Sequence, residues 1–199
     1  MSPDTVGAAS LALAATLLVT LRAHHPATVA HALRVARLVA GIAPHLPGEP
    51  YHGRIAEVYA AAALHDIGKL LVPVAILAAP RALSPDEWTC VTYHPSHSRA
   101  ILARGGASPL VRAAAWGHHE RWDGTGYPRR LAGMEIPAIA RLVSVVDAFD
   151  AMSEDRPYRA GLTPAAALRE IAQGAGSQFD PELVACVLAQ GLLTDDIAA

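Results

Sequence analysis

The stretch PAIARLVSVVDAFDAM, residues 137–152, decides the fold class. Val143, Val145 and Val146 are strand-favouring residues, and a short apolar run of this kind fits a buried strand as well as a helix. The spacing resolves the choice. Ile139, Leu142, Val146 and Phe149 recur every three or four residues, which is the period of a helix with one apolar face. The same spacing recurs upstream, in Val29, Leu33, Ala36, Val39 and Ala40, and again in Val111, Ala114, Ala115 and His118. No segment shows convincing strand alternation, so the chain is expected to be all-α.

Helix starts support this. Ser84-Pro85, Ser108-Pro109, Thr163-Pro164 and Asp180-Pro181 each join a capping residue to a proline at the first helical position, where the missing N–H costs nothing. Ser84 with Glu87 also makes a capping box. Helices are expected near 5–23, 26–43, 53–66, 84–103, 108–119, 135–153, 163–174 and 180–191, with short helical turns at 73–79. Two segments are irregular: Ile67 to Pro73, and Arg121 to Pro137 with its glycines and prolines.

At 199 residues the chain suits one core. We expect a single domain with an N-terminal helix at 1–23, a core at 24–191 and a tail at 192–199. The formal net charge of −2 lacks the basic surplus of a duplex-binding protein, so bulk nucleic acid is not an expected partner. Cys90 and Cys186 form no CxxC and read as free thiols of a reducing compartment. The apolar run Ala8–Leu21 is shorter than the roughly 18–20 residues that span a bilayer, and no basic segment precedes it. A buried first helix, no membrane partner and a cytoplasmic location are the expectation, with a helix–helix dimer contact as the alternative.

Seven side chains stand out together: His31, His65, Asp66, His94, His118, His119 and Asp147. Each alone reads equally well as a cap, a surface group or a satisfied core residue. Jointly they are five of the chain's ten histidines and two aspartates near helix ends or on helix faces. Imidazole and carboxylate suit iron, manganese, zinc or nickel. A carboxylate such as Asp66 can bridge two ions where imidazole cannot. Two six-coordinate ions offer about twelve positions, of which this set fills about eight, leaving open coordination of the kind a hydrolase needs.

The blocks HHERWDGTGYP at 118–128 and HDIGK at 65–69 resemble the HD-GYP branch of the HD phosphohydrolase superfamily. His94-Pro95, RLVSVVDAFDAM at 141–152, DRPYR at 155–159 and FDPELV at 179–184 agree with it in order, so the likeness covers about residues 22–188. The resemblance implies a helical bundle of the HD-domain type with a loop at Asp123, Gly124, Gly126, Tyr127 and Pro128. It implies two divalent or redox-active metal ions, iron or manganese first and zinc, nickel or cobalt as alternatives. These would be held by His31, His65, Asp66, His94, His118, His119 and Asp147, with Asp66 bridging. Lys69, Arg156 and Arg159 match basic residues that approach substrate phosphate.

The activity so implied is hydrolysis of cyclic di-GMP, with pGpG as the first product and a further cut to GMP left open, and with Asp66 and Lys69 in the catalytic machinery. A diguanylate cyclase domain at the loop and a homodimer are the implied protein partners. Another HD-type nucleotide phosphohydrolase, a non-catalytic dinucleotide-binding module and an HD-type di-iron oxygenase are the alternatives.

This chain also departs from the pattern. Ala27 stands where some members carry a glutamate ligand for a third metal, and Arg22 and His25 replace acidic residues. His97 and Ser98 replace an aliphatic residue and a glycine. We expect His97 to fill space, and Trp116 and Trp122 to pack rather than stack on a guanine.

Overall fold

A computed structural model describes residues 2–48, 51–155 and 160–193. Ten α-helices run through them: α1 Pro3–His24, α2 Pro26–Ile42, α3 Ile55–Ala63, α4 Val74–Leu77, α5 Pro85–Thr92, α6 His94–Arg104, α7 Pro109–Gly117, α8 Ala138–Ser153, α9 Pro164–Gln173 and α10 Pro181–Ala189. Short 3-10 turns lie at Ala43–His45, Ile67–Leu71 and Gly133–Glu135. Among the described residues there is no strand, only one isolated bridge between Ala175 and Phe179.

The four expected helix starts form as their local chemistry dictates. Ser84 makes a reciprocal capping box with Glu87, and Ser108 and Thr163 accept from the backbone N–H of Val111 and Ala166. Asp180 accepts from Glu182 and Leu183. Two further caps went unread in the sequence: the Ser2 hydroxyl accepts from the Thr5 N–H at α1, and the His25 Nδ1 accepts from the Thr28 N–H at α2.

The core is built around α3, whose Val58 and Ala60 to Ala63 are almost wholly buried. Alanines let the neighbouring backbones approach closely, so α1, α2 and α7 all lie against this one short helix. The apolar face of α8 (Ile139, Leu142, Val143, Val145, Val146 and Phe149) closes the other side against α2 and α7. Truncating a fully buried leucine such as Leu142 to alanine would cost about 2–5 kcal/mol.

Four expectations need correction. The segment 84–103 is two helices, broken at Tyr93, and His94 opens the second with Pro95 in its first turn. The helix expected to end at 66 stops at Ala63, which leaves His65 and Asp66 in the turn beyond it. The helix expected from 135 begins at Ala138, behind the Gly133–Glu135 turn. The first helix is only partly buried: α1 buries Gly7, Ser10, Ala14 and Leu21, rests half-buried Leu13, Leu17 and Leu18 against the core, and has 22% of its most apolar window covered. At 22 residues it is also long and apolar enough, by length and composition, to cross a membrane, which the shorter run counted in the sequence is not.

Candidate metal centre

Six separate segments each deliver part of one site. His31 projects from the middle of α2 and Asp147 from the middle of α8. His65 and Asp66 occupy the turn after α3, and Lys69 the 3-10 turn that follows. His94 is the first residue of α6, and His118 caps α7 with His119 next to it. Donor atoms of Asp66, His94, His118 and His119 lie within 4.8 Å of one another, and so do those of His31, His65 and Asp147. The seven expected residues therefore converge as two adjoining groups, each able to hold a cation. His65 Nε2 lies 3.3 Å from Asp66 Oδ2 and 3.9 Å from Asp147 Oδ1, which joins the groups.

The hydrogen bonds behind the rings decide what the rings offer in front. His65, His94 and His118 each place Nδ1 on the carbonyl three residues earlier, Ala62 at 2.7 Å, Val91 at 2.7 Å and Ala115 at 3.1 Å. Helix ends leave such carbonyls without their i+4 donor and with a lone pair to spare, and all three histidines sit at helix ends. A carbonyl accepts only, so each Nδ1 carries a proton, which leaves Nε2 as the nitrogen that can present a lone pair. His94 Nε2 and His118 Nε2 are 3.2 Å apart, two lone pairs facing each other. Buried Asp66 Oδ1 and His65 Nε2 make no hydrogen bond among the described residues. Facing lone pairs are repulsive and orphaned buried acceptors costly as they stand, and a divalent cation between them removes both faults. The residues fit the metals that the resemblance implies.

Electrostatics agree. Burial pushes the His118 imidazole down to about 4, with Asp66 opposing and His65 and His94 adding to the shift. His119 is driven well below its ordinary value by burial and then by His118 and His94. Both rings stay neutral at physiological pH, as ligation requires. Burial would raise the Asp66 carboxyl, yet the Lys69 ammonium, 2.5 Å away, and His65 hold it well below the usual range. His31 goes the other way. Burial lowers it, but Asp147 and Asp150 outweigh burial and raise it to about 10. A proton then bridges His31 Nε2 and Asp147 Oδ1 across 2.9 Å, in the place a metal ion would take.

The site has an open and a closed side. His65, Asp66, His94 and His118 are at most 2% exposed, whereas the side chains of His31, Asp147 and Lys69 are 14%, 18% and 22% exposed. Arg156 and Arg159 lie outside the described residues.

The loop at 121–137 is tied to the site from behind. Asp123 accepts from the Thr125 N–H at 2.9 Å and hydroxyl at 2.6 Å, and Arg121 donates to its other oxygen. Gly124 takes a φ of +77°, which a side chain would strain. The chain doubles back so tightly that a Cβ on Gly126 would lie 2.3 Å from the Arg121 nitrogen. That return lets the Tyr127 N–H donate to the His119 carbonyl and stacks its ring on the His119 imidazole, centroids 4.8 Å apart. Pro128 follows on the exit strand of the loop. Buried Glu120 accepts from the Arg129 and Leu131 N–H groups and fixes that exit.

The Arg99 and Arg129 guanidinium groups lie over the Trp116 indole, 4.1 and 4.0 Å from the ring centroid, so cations already occupy the ring surface that a base would need. Trp122 packs near Gly133, with Arg141 at 5.8 Å. His97 stacks loosely on Tyr93. Two roles escaped the sequence reading. Ser98 accepts from the Gly68 N–H at 2.8 Å and donates to the His65 carbonyl at 3.1 Å, pinning the HD turn to α6. Asp150 holds the His31 Nδ1 at 2.7 Å. Its signal was present as a second aspartate three residues after Asp147, on the same helix face.

The HD domain family profile matches residues 16–183. A cyclic di-GMP phosphodiesterase of Thermotoga maritima is 42% identical over 137 residues, 67% of this chain and 37% of that protein. A 3′3′-cGAMP-specific phosphodiesterase of Vibrio cholerae is 41% identical over 137 residues, 68% of this chain and 30% of that protein. The chain thus spans about a third of the length of these curated relatives. An HDG"Y"P protein from Bdellovibrio bacteriovorus superposes with a TM-score of 0.64 at 20% identity, covering 82% of this chain and 52% of that one, which shows the shared fold. With the paired histidines, the HD turn and the GYP loop assembled around one centre, the chain belongs to the HD domain family, in its HD-GYP branch.

Proposed function

We propose that this domain hydrolyses a 3′–5′ phosphodiester bond of cyclic di-GMP at a pair of metal ions held by His31, His65, Asp66, His94, His118, His119 and Asp147. The observation that carries the reading is the commitment of three histidine Nδ1 atoms to backbone carbonyls, which turns three Nε2 lone pairs onto Asp66. Iron or manganese suits this mixed imidazole and carboxylate set. Two such cations would supply an acidified water and neutralise charge at phosphorus.

The chain's own residues do the rest. Asp66 lies between the two ligand groups and bridges them. Lys69, on the open side, supplies an ammonium for a non-bridging phosphate oxygen, and Arg156 and Arg159 supply guanidinium groups in the segment after α8. Tyr127 holds the His119 ring in register, and the closed inner side keeps bulk water from the ligands. We assign the domain to the cytoplasm, where this substrate is found. A diguanylate cyclase domain is the proposed partner of the exposed loop rim around Asp123 and Thr125, and a second copy that of the outer α1 stripe.

The near-equal identity to a 3′3′-cGAMP-specific relative supports one further reading, another cyclic dinucleotide as substrate. One assay tests both. Metal-loaded protein is incubated with cyclic di-GMP or 3′3′-cGAMP and the products are resolved by chromatography. We expect pGpG from cyclic di-GMP, ahead of any GMP. Faster turnover of 3′3′-cGAMP selects the other substrate, and binding of either without turnover rejects hydrolysis.

A further inference from the structure

Of the five histidines of the centre, only His31 sits in the middle of a helix. His65, His94 and His118 orient their rings with carbonyls that helix ends leave without an i+4 donor, whereas the carbonyls behind His31 carry the helical hydrogen bonds of α2. Its Nδ1 therefore needs an acceptor from another element. Asp150 of α8 provides it at 2.7 Å, and Asp150 is itself buried. A buried carboxylate needs compensation, and Arg34 gives it with a two-pronged contact, Nε to Oδ1 at 2.8 Å and Nη2 to Oδ2 at 2.9 Å. Arg34 also reaches Glu154 at 2.6 Å.

The arrangement follows from helical spacing. His31 and Arg34 are three residues apart on one face of α2, and Asp147 and Asp150 are three apart on the facing side of α8. His31, Asp150 and Glu154 lie close enough together to hold a cation, and the Arg34 guanidinium is already that cation.

We propose that Asp150 and Arg34 are positioning residues of the metal centre: Asp150 fixes the His31 ring so that Nε2 faces Asp147 and His65, and Arg34 fixes Asp150. A carboxylate acceptor behind a ligating imidazole also raises the basicity of the ligating nitrogen, and loss of such a partner typically weakens metal affinity 10- to 100-fold. The inference rests on the metal-pair reading above.

The test is a Mn2+ titration of metal-free full-length chains, followed by calorimetry and by the spin coupling between neighbouring Mn2+ ions. Wild type should take up two coupled ions. Asp150→Ala should hold one ion at wild-type affinity and the other about 10- to 100-fold more weakly, matching a His31→Ala control. Asp150→Asn keeps an oxygen that accepts from Nδ1–H and should recover most of the lost affinity. Arg34→Met should weaken the same ion by a smaller factor. Two ions bound to Asp150→Ala at wild-type affinity would overturn the proposal, and so would equal weakening of both ions in Asp150→Asn, which signals general damage. If wild type itself takes up no coupled pair, the metal-pair reading fails first and this inference with it, a result visible before any variant is examined.

Discussion

Gly68 lies so close to the His94 carbonyl that a Cβ on it would stand 2.0 Å from that oxygen and 2.5 Å from the Ser98 nitrogen. The HD turn is thus laid directly on the first turn of α6, backbone against backbone, and this contact sets the 3.0 Å between Asp66 Oδ1 and His94 Nε2. Gly68→Ala must push the two elements apart. We expect a stability loss of about 1–3 kcal/mol or more, together with weaker metal uptake. Thermal melts and metal analysis check it, and a variant with wild-type values for both would show that the turn has slack.

Metal number follows from what is left to ligate. Ala27 offers no donor, His24 Nε2 is on the Val72 carbonyl at 2.9 Å, and His25 Nδ1 is spent on Thr28. The protein should hold two ions per chain, with three fully occupied peaks in anomalous maps as the contrary result. Asp66→Ala removes the group between the two ligand clusters and should lose both ions and hydrolysis while circular dichroism stays helical. Full metal content with unchanged turnover would refute the bridging role.

The Tyr127 ring acts on His119 through its face, since the two planes are only 27° apart. Tyr127→Phe keeps that face and should retain metal affinity. Tyr127→Ala leaves His119 free to turn and should weaken the ion it helps to hold, by roughly 10-fold if the support behaves as an orienting contact usually does. Equal affinities in the Phe and Ala variants would remove Tyr127 from the site.

The loop carries its own acid limit. The Thr125 hydroxyl, Arg121 and the Thr125 N–H lower the Asp123 carboxyl from 3.8 to about 2. A depressed carboxylate stabilises the folded loop at pH values above its unfolded pKa, and that contribution is lost as pH falls from 3.8 toward 2. Side-chain carbon NMR should find Asp123 still ionised at about pH 3, and Thr125→Ala should raise its midpoint. A midpoint near the ordinary aspartate value in wild type would dismiss the turn as a source of order.

Sequence by itself determined what is local. The starts at Ser84, Ser108, Thr163 and Asp180 were legible because a cap and a proline act within one turn of backbone, and α8 was legible because its apolar spacing leaves no room for a strand. The seven candidate ligands were legible as residue types, and the block at 118–128 as a pattern, before any of them could be shown to meet. The break at Tyr93 and the early end of α3 are local as well, though the apolar spacing hides them: Pro95 has no N–H to give the Val91 carbonyl, and the His94 and His65 rings bond the carbonyls three residues back, Val91 and Ala62. Tertiary structure alone decided the rest. The exposure of α1 depends on which neighbours cover it, a property its composition does not contain. The Trp116 ring is taken up by arginines 17 residues before it and 13 after it. The tie from His31 through Asp150 to Arg34 spans two helices more than a hundred residues apart in sequence, and only their packing brings those charges within hydrogen-bonding distance.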